Sequence, residues 1–166
     1  MTTRRALLGA AAAVVVAAPA YASSERSDIE ILEELLALEN RLAGAYEAAL
    51  RREAIDAALG ELLLEQEREN IRGLGQALRT VGGRAPRASV PPPGLGPALR
   101  SRAGFARFAL DLEAQAVAAY TSAAAEIVRP GLRRPLGSIM ACEAAHEVAL
   151  RAAVGLPLLA SAAGPE

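Results

Sequence analysis

The chain has 166 residues, 18 basic against 19 acidic, and a formal net charge of −1, enough for one domain with a sizeable core and too few for two. Every basic residue is arginine, with no basic stripe and no aromatic-basic interleaving, which argues against nucleic acid as a partner. The single cysteine, Cys142, excludes an intramolecular disulfide, and the dominance of alanine and leucine favours helices.

The chain opens on Thr3-Arg4-Arg5-Ala6-Leu7-Leu8, runs through apolar residues to Pro19, and reaches Ala20-Tyr21-Ala22. A charged start, an apolar stretch and a small-residue cleavage pattern read as a signal peptide over residues 1–22, cut after Ala22. The arginine pair resembles a twin-arginine signal, with a general secretory signal as the alternative. The apolar run falls short of the roughly 20 residues of a membrane span, and no second apolar run follows. The expectation is an exported, extracytoplasmic protein whose domain occupies residues 23–166 and which has no membrane span once the signal is removed.

Four helices are predicted in that domain. The first is capped by Asp28 and runs to about Arg52, with Leu32, Leu35, Leu36, Leu42, Ala43 and Tyr46 at helical spacing. The second is capped by Asp56 and runs to about Thr80, where Gly82-Gly83 ends it. A proline-rich crossover at about 81–98, with Pro91-Pro92-Pro93 at its centre, interrupts the helices. The third helix is expected from about Leu99 to Val128. Pro130-Gly131 and Pro135 read as a turn, and a fourth helix follows from about Leu136 to Val154. Connections that are short, long and short specify an all-α four-helix bundle with one long crossover between helices 2 and 3.

Polar residues interrupt the apolar stripes in a matched way. Glu39 sits in the middle of the first stripe, and Glu113 repeats the pattern on helix 3, flanked by Ala109, Leu110, Ala116, Val117 and Tyr120. Each is followed seven residues later by a tyrosine, Tyr46 or Tyr120. On helix 2, Glu67 is followed three residues on by Asn70; on helix 4, Glu143 is followed three residues on by His146. Residues three apart share a helix face, so Glu143 and His146 converge on one point. The two halves of the chain read as a weak internal repeat of one helical hairpin.

Four carboxylates facing one core each cost several kcal/mol if unpaired. The arginines Arg41, Arg51, Arg68 and Arg72 fall on solvated faces, so the core needs another cation or protons. A pair of divalent metals would neutralise all four, and oxygen ligands with one imidazole suit iron or manganese.

In these residues the chain resembles the ferritin-like di-iron proteins, which place one Glu on each of two helices and Glu-x-x-His on each of the other two. Glu39, Glu67, Glu113, Glu143 and His146 match in order, and the chain as a whole is similar to the exported ferritin-like domains of actinobacteria. The resemblance implies a metal site formed by those five residues, iron (di-iron) or manganese as cofactor, and ferroxidase-like chemistry with oxygen or peroxide. Asn70 departs from the pattern, which wants a histidine there, and is expected to weaken one of two metal positions. A metal-free helical scaffold, acting as an extracytoplasmic binding module with protonated carboxyls, is the competing expectation. A homodimer is compatible with either; no partner protein is indicated.

Overall fold

The computed structural model describes residues 26–85 and 91–158. The expected signal peptide lies outside them. Among the described residues there are five helices and no strand: α1 (Asp28–Arg51), α2 (Ala57–Thr80), a short α3 (Leu95–Ala98), α4 (Arg102–Glu126) and α5 (Pro130–Ala153). The all-α bundle with a long crossover is as the sequence predicts. None of these helices is long and apolar enough to cross a membrane.

The ends of the helices follow from local chemistry. Ser27, not Asp28, caps α1: its hydroxyl accepts from the Glu30 amide while the Glu30 carboxylate accepts from the Ser27 amide, a reciprocal capping box. Asp28 is free for another task, and its carboxylate accepts from the amides of Val128 at 2.9 Å and Arg129 at 3.2 Å. The start of α1 is thereby tied to the α4–α5 turn. Asp56 caps α2 as expected. Ser101 caps α4, accepting from the Gly104 amide, so the third long helix starts after the expected Leu99. The residues just before it form the separate turn α3, entered through Gly94 at φ +86°.

The largest difference is at α5, which begins at Pro130 rather than near Leu136. Pro130 occupies the first helical position, where its missing N–H is not needed. Pro135 lies inside the helix and deprives the Gly131 carbonyl of its helical donor. Pro135 is exposed, so water can satisfy that carbonyl and the helix continues through it.

α1 packs against α2, α4 against α5, and α1 against α4; α2 and α5 meet along a thinner seam. Two apolar clusters fill the bundle. One gathers Leu42, Ala45, Tyr46, Leu63, Phe105, Ala109 and Leu150; the other gathers Leu32, Leu35, Leu36, Leu74, Leu78, Ile127 and Leu136. Along α1, Glu39 falls between the residues of one cluster and those of the other. A polar layer therefore separates two greasy ones.

Candidate metal centre

Every polar residue singled out in the sequence stripes is buried. Glu39, Glu67, Glu113 and Glu143 have no exposed surface, and His146 and Asn70 are 2% and 8% exposed. The helical period brings them there: each sits at the centre of its helix's inward stripe. Glu67, Glu113, Glu143 and His146 present ligand atoms that all lie within 4.8 Å of one another. Glu39, also expected as a ligand, is buried beside them but stands outside that close quartet.

His146 is held through its outer ring nitrogen. Its Nε2 lies 2.8 Å from Gln66 Oε1 and 3.3 Å from Cys142 Sγ. An amide oxygen can only accept, so Nε2 carries the proton. That leaves Nδ1 facing the carboxylates, 3.1 Å from Glu67 Oε1 and 3.6 Å from both Glu113 Oε1 and Glu143 Oε2. A metal-binding histidine is oriented in this manner, with its outer N–H donated to a fixed acceptor. Sequence reasoning missed Gln66. Its only signal is its place beside Glu67, where the repeat puts Cys142 beside Glu143.

The tyrosines serve the same layer. Tyr46 on α1 donates to Glu113 Oε1 on α4, and Tyr120 on α4 donates to Glu39 Oε1 on α1 at 2.6 Å. This reciprocal cross-bracing requires α1 and α4 to run antiparallel, and it joins the two halves of the repeat. Replacing Tyr120 with Phe should remove Glu39's donor at almost constant shape. A loss of about 1–3 kcal/mol is expected in urea denaturation; an unchanged midpoint would show that Glu39 needs no donor.

Asn70, where the pattern wants a histidine, takes a defined partner. Its Nδ2 donates to Glu143 Oε1 at 2.7 Å, so its amide orients a carboxylate of the cluster.

Donors are nevertheless too few. Glu39 Oε2, both Glu67 oxygens, Glu113 Oε2, Glu143 Oε2 and His146 Nδ1 are buried with no hydrogen-bond partner. Burial pushes Glu67 up to about 11, with Glu143, Glu39 and Glu113 adding to the rise against His146. Burial, then the Glu143 charge, brings Glu39 to about 7. Burial and Glu113 bring Glu143 to about 7 against the opposing His146. For His146 burial acts downward, but the facing carboxylates of Glu113, Glu143 and Glu67 outweigh it and raise its pKa. Without a cation this layer holds protons; with one, the orphaned oxygens and Nδ1 have a common partner. Oxygens with one imidazole nitrogen form a hard donor set that fits iron or manganese.

The family model of the ferritin-like domain matches residues 27–156. The chain belongs to that family. The match covers all five helices and every residue of the buried cluster. No curated protein and no solved structure matches the chain. The ferritin-like domain thus carries a buried carboxylate–histidine cluster compatible with a metal, in which the donor set is asymmetric between its two Glu-x-x positions.

Proposed function

We propose that this ferritin-like protein is exported and holds iron or manganese in the buried cluster, for chemistry with oxygen or peroxide. The observation that carries the reading is the convergence of an oriented His146 Nδ1 and the partnerless carboxylate oxygens of Glu67, Glu113 and Glu143 in a layer closed to solvent. Glu67, Glu113, Glu143 and His146 would hold one ion tightly. Glu39 would face a second position that lacks an imidazole because Asn70 stands there. A bound redox metal supplies one-electron exchange with an oxidant. The chain's own residues set the histidine tautomer, brace Glu39 and Glu113 through the tyrosines, and exclude bulk water. Export rests on Arg4-Arg5, the apolar run and Ala20-Tyr21-Ala22. A twin-arginine route, which carries folded proteins, would allow metal loading before export. The likeness to exported actinobacterial domains belongs to the same proposal.

Elemental analysis of the protein purified from its exported fraction without chelators tests this. Near-stoichiometric iron or manganese is expected, lost in Glu143→Ala, with Ser23 as the first residue. No metal, and no uptake from anaerobic ferrous iron, would reject the reading. It would favour the alternative of a metal-free extracytoplasmic binding module with protonated carboxyls.

A further inference from the structure

α2 and α5 carry Glu67, Asn70, Glu143 and His146, yet their seam is thinner than those joining α1 to α2, α4 to α5 and α1 to α4. Residues without bulk leave it open. Gly73 and Ala77 on α2 face Ser138 on α5 across a groove of about 220 Å³. Its walls are apolar, from Leu74 on one side and Leu132, Leu136 and Ile139 on the other, and Glu69 borders it. The groove also reaches Asn70, whose amide touches Glu143 of the buried cluster. One residue therefore belongs to both the groove and the wall of the centre.

The chemistry of the occupant follows from the lining and the size. A hydrated cation would shed water against leucine and isoleucine with no return, which is unfavourable. An engineered apolar cavity of about 150 Å³ accepts benzene, so this groove has room for one ring and a small substituent, not for a long chain or a helix. Polar groups occur at Asn70 and Ser138. We propose that the α2–α5 groove binds a small neutral amphiphile, a single ring or branched chain of similar size bearing a hydroxyl, with the apolar body on the leucine wall and the hydroxyl near Asn70 and Ser138. This deepens the metal reading by naming the class of molecule brought against the centre; the binding itself requires no metal.

Gly73 makes the test clean. A Cβ built there meets no atom within 4 Å, so the first added atom is accommodated, and Gly73 lines the groove that a longer side chain would reduce. The probe is para-fluorobenzyl alcohol, titrated into the metal-free and manganese-treated protein and followed by fluorine NMR. Saturable binding is expected, weakened at least about ten-fold in Gly73→Leu. Ser138→Leu fills the groove from the opposite wall and should act alike. Ala37→Leu places the same bulk in the separate groove beside Arg26 and Arg41 and should leave binding unchanged. Bound manganese should broaden the probe signal in the unmodified protein. Absence of saturable binding, equal binding in Gly73→Leu and Ser138→Leu, or self-association abolished by those two variants would overturn the proposal, the last because a second copy would then fill the groove. Probe binding with no uptake of either manganese or anaerobic ferrous iron would support the groove and reject the metal reading. Manganese uptake without probe binding would do the reverse.

Discussion

The metal-free protein should lose stability as the pH rises from about 5 to 8, opposite to the acid sensitivity of most proteins. Glu39 and Glu143, raised from 4.5 to about 7, and Glu67, raised to about 11, keep protons in the folded chain. The unfolded chain has released them above its ordinary range near 4.5. Between those values the native state binds more protons, so unfolding becomes easier as the pH climbs. His146 adds the same sign. Its raised pKa contributes stability fully present below 6.5 and lost as the pH rises through the folded value. Glu126, held near 2 by Arg26 at the surface, acts the other way but only below its ordinary 4.5. Glu39 and Glu143 together amount to several kcal/mol, so the melting temperature of chelated protein should drop by on the order of 10 °C over that interval. Metal must displace the same protons, so its affinity should rise with pH and loading should restore the lost stability. Thermal scans of chelated and manganese-loaded protein across that range check this. A melting temperature of the chelated form that is flat or rising with pH would mean that the cluster is ionised and compensated without metal.

This pH response is legible in the sequence only in outline. Glu39 and Glu113 could be placed inside because their apolar neighbours recur on both sides at helical offsets, and the same holds for Glu67 and Glu143. Four helices, the short-long-short connections and the crossover follow from that periodicity and from the proline run. Boundaries were less readable. Ser27 and Asp28 are both good caps, and only the position of Glu30, three residues after Ser27, distinguishes the capping box. Pro135 reads as a break, but a proline on an exposed face lets the carbonyl it orphans reach water, so α5 runs through it. Side-chain roles that cross between helices were the least accessible. Gln66 sits next to Glu67 on a run of polar residues, and nothing along α2 tells that it meets His146 from α5. The tyrosines were readable as repeat-related, but which glutamate each one serves depends on α1 and α4 being antiparallel. Asn70 was recognised as a departure, whereas its amide donating to Glu143 required the packed geometry.

Replacing Asn70 with histidine should raise the metal content from about one ion per chain to about two. In the repeat, Asn70 stands after Glu67 as His146 stands after Glu143, and the neighbour that fixes His146 from outside, Gln66, has Cys142 as its counterpart. An imidazole at position 70 would add a nitrogen ligand beside Glu39 and free the Glu143 Oε1 atom that Asn70 now occupies. Glu39 supplies the internal check, because its carboxylate lies outside the close quartet. Glu39→Gln alone should leave the tightly held ion in place, since Glu67, Glu113, Glu143 and His146 remain. Combined with Asn70→His it should cancel the gain. The two substitutions should therefore be strongly non-additive in metal content, as expected for residues that share a ligand sphere. Two ions already present in the unmodified chain, or one ion retained in Asn70→His, would show that position 70 does not control the second site. Loss of all metal in Glu39→Gln would place Glu39 in the tight site and make the asymmetry inferred from the quartet wrong.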